Sequence, residues 1–136
     1  MHPLLSHWLP LGLYAAGIFF ASSLPKPPPL PSVAGADKAL HFAAYAGLAA
    51  LCARAFRRRW PGLSPWGLGN LSLLAVALYG LTDEFHQAFV PGRTADPWDW
   101  LADILGAAAG TLAYLLAVRR RSRPAPPRLD RFSDPV

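Results

Sequence analysis

Asp37, Lys38, His41, Asp83, Glu84, Arg93, Asp99 and Asp103 are residue types that can hold or transform a ligand, and all stand at or between the ends of apolar segments. Asp37, Lys38 and His41 open one segment, while Asp83, Glu84, His86 and Gln87 close the next. Arg93 lies in the connector that follows, and Asp99 and Asp103 open the last segment. An ionisable group in a bilayer costs roughly 2.5–3.5 kcal/mol near a helix centre on insertion scales, so such groups mark a site or a mutual pairing network. If the segments cross a membrane in alternation, all of these groups meet at one face. Gathered there, they could bind the head of an amphiphilic molecule. They could also exchange protons as an acid–base pair, for instance Asp83 or Glu84 with His41.

Four apolar stretches would position them, at about residues 4–24, 38–56, 66–90 and 98–118, each close to the roughly 20 residues that a helix needs to cross the hydrocarbon core. The first carries Pro10, Gly12 and Gly17, which membrane helices tolerate. No Lys or Arg precedes it and no small-x-small cleavage site follows, which favours a retained helix over a signal peptide. Pro27, Pro28, Pro29 and Pro31 then predict an extended connector. Asp37 is the expected N-cap of the second helix. Trp60, Trp66, Trp98 and Trp100 stand at segment ends, where interfacial aromatics belong.

Composition agrees. The chain is 53% hydrophobic and only 15% charged over 136 residues, and its segments are apolar nearly all round, unlike those of a soluble bundle. The single cysteine, Cys52, allows no disulfide framework and no thiolate metal site. The net charge of +5 does not signal nucleic acid, because no aromatic-interleaved basic stretch accompanies it. The arginines instead follow apolar segments: Arg54 and Arg57 to Arg59 after the second, Arg119 to Arg121 and Arg123 after the fourth. The opposite side holds Lys26, Lys38 and Arg93, so the positive-inside rule puts both termini in the cytoplasm and the polar cluster on the extracytoplasmic face.

Helical spacing sharpens the clustering. Asp37, His41 and Tyr45 recur every four residues and share one stripe, as do Tyr79, Asp83 and Gln87. On the last helix Asp99 and Asp103 share a face with Gly106 and Gly110, a small-xxx-small surface that lets another helix approach closely. The run Asp37-Lys38-Ala39-Leu40-His41-Phe42 with Tyr45 resembles the first motif of VanZ-like membrane proteins. Tyr79, Asp83-Glu84, Gln87, Phe89 and Pro91-Gly92-Arg93 resemble the second, and Asp99 with Gly106 and Gly110 the third. The resemblance covers roughly residues 37 to 112. It departs at Asp103, where the family usually has Asn.

The resemblance implies a multi-pass bacterial membrane protein, in a family whose namesake is associated with low-level teicoplanin resistance. The fold expected is all-α: a four-helix transmembrane bundle (residues 1–120) in the inner or plasma membrane, with short outer loops and a disordered basic cytoplasmic tail (121–136). The site expected is an outward-facing pocket of Asp37, Lys38, His41, Tyr45, Asp83, Glu84, Gln87, Arg93, Asp99 and Asp103. It would recognise an amphiphilic envelope molecule, such as a lipid-linked or lipoglycopeptide-like head group, and contribute to glycopeptide tolerance. Lys38 and Arg93 would hold anionic groups there. The partner expected is thus a membrane lipid or lipid-linked molecule. A membrane-embedded acid/base enzyme and a purely structural or assembly protein are the alternatives, and the oligomeric state stays open. No metal or other cofactor is assigned: His41, His86 and the carboxylates could ligate a divalent cation, but no compact His-x-x-x-His signature is present.

Overall fold

A computed structural model describes residues 5–25 and 35–121 as four α-helices, without strands among the described residues. They are α1 (Leu5–Ser22), α2 (Ala36–Arg59), α3 (Pro65–Gln87) and α4 (Pro97–Arg121). The Pro-rich connector and the basic tail lie outside the described residues, apart from Arg121, which ends α4. Among the described residues, two helices, α2 and α4, are long and apolar enough to cross a membrane.

Local chemistry sets the helix ends. Gly35, at φ 81°, caps α2 and places Asp37 in the first turn rather than at the expected N-cap. There its carboxylate still complements the positive end of the helix dipole. Ser64 caps α3 by accepting the Gly67 N–H at 3.0 Å, with Pro65 at the first helical position, where its missing N–H costs nothing. Asp96 does the same for α4, its Oδ1 accepting the Trp98 N–H at 2.9 Å ahead of Pro97. Arg57 to Arg59 and Arg119 to Arg121 extend the last turns of α2 and α4 and suit their negative ends. Helix α3 stops at Gln87, short of the expected end. The chain there tightens into three-residue turns, with the Phe89 N–H on the His86 carbonyl and the Val90 N–H on that of Gln87.

Helices α2 and α4 form the tightest seam. A Cβ on Gly106 would collide with the Phe42 carbonyl, and one on Gly110 with the Ala46 carbonyl. The small-xxx-small surface is thus the contact face for α2, and it turns Asp103 inward. Tyr45, Leu48, Ala49, Cys52, Val76 and Ala107 form the buried core, with Leu11, Ala15 and Ile18 of α1 packed on it. The Tyr79 hydroxyl ties α3 to α1 by donating to the Ala15 carbonyl at 2.7 Å. At the other end, Pro10 cannot serve the Ser6 carbonyl, which accepts from Arg54 at 3.4 Å. Phe20, Leu74, Leu78, Phe85 and Phe89 are exposed and leave an apolar perimeter.

Candidate functional site

The end of the bundle that joins the start of α2, the end of α3 and the start of α4 collects the polar side chains. Lys38 reaches across from α2 and donates to Asp96 and Asp99, each at 2.9 Å, and to its neighbour Asp37 at 3.1 Å. One ammonium thus fastens α2 to the N-terminus of α4. The Lys38 hydrogen bond, helped by the Trp98 N–H, holds the Asp96 carboxyl below its ordinary range. Asp96, which is not among the residues expected from the sequence, is part of the site. An Asp directly before a Pro that opens a helix is a capping signal. Its pairing with Lys38 carries no local signature.

One turn deeper, His41 Nδ1 lies 2.9 Å from Asp103 Oδ1, and its Nε2 lies 3.9 Å from Asp99 Oδ2. Asp103 is fully buried. It faces Gly80, where a Cβ would stand only 3.0 Å from its Oδ2 and 3.1 Å from the Tyr45 ring. Tyr45 lies nearly parallel to His41, at 6.3 Å between centroids and 9° between planes. Asp103 Oδ2 and the Tyr45 hydroxyl are buried without a hydrogen-bond partner among the described residues.

The acids of α3 take separate partners. Asp83 accepts the Ser22 hydroxyl of α1 at 2.5 Å and the Gln87 amide at 3.1 Å. Glu84 accepts the Asp96 backbone N–H at 2.8 Å, which pins the α3–α4 connector. Neither pairs with Arg93, which makes no ion pair among the described residues and whose buried Nε lacks a partner. His41 pairs with Asp103 rather than with Asp83 or Glu84. Ser22 and Ser23 join the site unannounced, Ser23 at 3.1 Å from His86, because a serine ending an apolar helix has no pattern to mark it.

A cavity of about 740 Å³ opens among these groups. Its apolar lining comes from Leu13, Gly17 and Ile18 of α1 and Leu40 and Ala44 of α2. Asp37, His41, Tyr45, Asp83, Gln87, Arg93, Asp96 and Asp99 are among its polar lining, whereas Lys38, Glu84 and Asp103 do not line it. His41, Glu84 and Asp99 bring one ligand-type atom each to within 4.8 Å of one another.

The profile of the VanZ/LLP1 family matches residues 5–118, from the first turn of α1 nearly to the end of α4. The chain belongs to this family. The match extends the resemblance read from the motifs to include α1, the helix that supplies Ser22 and one wall of the cavity. Family membership, with the apolar α2 and α4, makes this VanZ/LLP1 protein a membrane protein. No curated protein and no solved structure matches it.

Proposed function

We propose that this VanZ/LLP1 protein spans the cell membrane with all four helices, both termini in the cytoplasm, and recognises an amphiphilic envelope molecule at its outer face. The carrying observation is the two-part cavity, whose apolar side along α1 and α2 suits an acyl or prenyl tail and whose polar side suits a head group. Arg93 is the anion-binding group of this reading, because its guanidinium is not consumed by any carboxylate among the described residues. Lys38 organises the cluster instead, its three donors already facing Asp37, Asp96 and Asp99. Glycopeptide tolerance follows if the head group belongs to a lipid-linked wall precursor or to the lipoglycopeptide itself.

Binding of a fluorescent polyprenyl phosphate and of teicoplanin to the detergent-purified chain tests this. Arg93→Ala is expected to weaken binding of at least one at least tenfold. Equal binding by wild type and Arg93→Ala, in protein of unchanged unfolding temperature, would remove the reading.

A second reading, an acid/base enzyme acting on a lipid-linked substrate, is favoured by the His41–Asp103 pair. A buried carboxylate on Nδ1 orients the ring and leaves Nε2 to move a proton. Substrate turnover that disappears in His41→Gln while binding persists would select it.

A further inference from the structure

His41 of α2, Glu84 of α3 and Asp99 of α4 are distant in sequence, yet their ligand atoms lie within 4.8 Å of one another. We propose that these three residues hold one divalent cation of the Mn²⁺ or Zn²⁺ class, open on the cavity side to an anionic oxygen of the head group. The bridging to a head group rests on the reading above; the cation site does not.

The ligand set has the right chemistry. Imidazole with two carboxylates suits a borderline divalent ion, whereas Mg²⁺ and Ca²⁺ favour oxygen-only sets. Asp103 occupies His41 Nδ1 at 2.9 Å, which leaves Nε2 for the ion. A carboxylate behind a ligating histidine fixes its tautomer and raises its basicity, the usual outer-shell arrangement. The 3.9 Å between Nε2 and Asp99 Oδ2 is too long for a hydrogen bond. It is within the reach of two ligands on one ion, with arms of about 2.0–2.2 Å each. Lys38 engages the other oxygen of Asp99 and leaves Oδ2 available.

Charge and unmet polar groups point to the ion independently. Glu84 is 5% exposed and Asp83 2% exposed, and both receive only neutral donors: the Asp96 N–H, the Ser22 hydroxyl and the Gln87 amide. The one ammonium of the cluster is shared among three other carboxylates. Buried carboxylates without a cation carry a desolvation cost that a divalent ion would offset. The Tyr45 hydroxyl, on a cavity-lining residue only 1% exposed, is also left without a partner among the described residues.

The test uses the full chain in detergent, stripped with chelator and titrated with Mn²⁺, the free ion being read by electron paramagnetic resonance. One saturable Mn²⁺ per chain is expected, displaced by Zn²⁺, with a higher unfolding temperature for the loaded wild type. His41→Gln and Asp99→Asn should each weaken the site at least tenfold. Asp103→Asn should weaken it by about 10–100-fold without touching the ion. Gly12→Ala, whose added methyl meets nothing within 4 Å, should leave it unchanged. Absence of saturable binding at millimolar Mn²⁺, or no rise in wild-type unfolding temperature, overturns the site even if the variants fail to fold. So does wild-type affinity in a folded His41→Gln chain. Polyprenyl phosphate that binds stripped and loaded protein equally removes the bridging and leaves the ion. Mn²⁺ bound by a chain that retains no amphiphile leaves the ion and removes the reading on which bridging rests.

Discussion

His41 and Asp103 meet across the α2–α4 seam with Nδ1 and Oδ1 at 2.9 Å, and Asp103 has no exposed surface. The departure from the family's usual Asn is thus an acidic partner for a histidine. Its second oxygen finds no donor among the described residues, so the charge is held at a cost to stability. Asp103→Asn keeps an acceptor for the ring N–H and removes that charge. In chelator-treated protein it is expected to unfold at the wild-type temperature or above. Asp103→Leu would strand the ring nitrogen and lose about 1–3 kcal/mol. If Asn is as damaging as Leu in detergent melts, His41 is a permanent imidazolium and the pair is scaffolding.

Close approach of α2 and α4 depends on the absence of side chains at two positions. Gly106→Ala or Gly110→Ala would drive a methyl into the Phe42 or Ala46 carbonyl, which belong to helix backbone and cannot swing aside. Overpacking of this kind costs about 1–3 kcal/mol per site, and prying the seam apart would also separate His41 from Asp103. Gly12→Ala on α1 meets nothing within 4 Å and serves as the neutral control. Denaturant unfolding in detergent should rank both seam variants well below it.

Acid should loosen the start of α4 through Asp96. Its folded-state pKa is depressed below the ordinary 3.8, first by the Lys38 hydrogen bond and then by the Trp98 N–H. The unfolded chain therefore binds this proton more readily. The carboxylate's contribution is fully present above the unfolded pKa and is lost as pH falls through the folded one. Asp96→Asn retains a cap, since Asn caps about as well as Asp, but it loses the negative charge that faces Lys38. The Trp98 amide resonance, followed from neutral pH downward, should move below the ordinary carboxylate range in wild type. It should lose that step in Asp96→Asn; an unchanged step would assign the titration to another acid.

Much of this was legible in the chain. Four apolar runs divided by Pro and Gly read directly as four helices, because a helix that buries little can be apolar on every side. The stripes Asp37–His41–Tyr45 and Asp99–Asp103 also read correctly, since four-residue spacing aligns side chains whatever the tertiary context. Partner choice did not, because it depends on how the helices rotate and how closely they approach. Local spacing therefore left Glu84 free to pair with Arg93 or His41, whereas the structure gives it the Asp96 N–H. The share of α1 in the site was equally hidden: Ser22 reaches Asp83 from a helix that the Tyr79 hydroxyl and the packing of Leu11, Ala15 and Ile18 hold alongside.

Arg93 and Lys38 should separate binding from stability. Both are single cations at the same end of the bundle, yet Lys38 contacts three carboxylates and Arg93 none among the described residues. Arg93→Gln breaks no ion pair among the described residues and removes a buried nitrogen that lacks a partner, so it is expected to leave the unfolding temperature near that of wild type, while retention of polyprenyl phosphate falls. Lys38→Gln leaves Asp37, Asp96 and Asp99 facing one another without a counter-charge and should lower the unfolding temperature. Salt should narrow that gap by screening the exposed part of the repulsion. The reverse ranking, with Arg93→Gln the less stable protein and binding intact, would mean that Arg93 holds the connector rather than the head group.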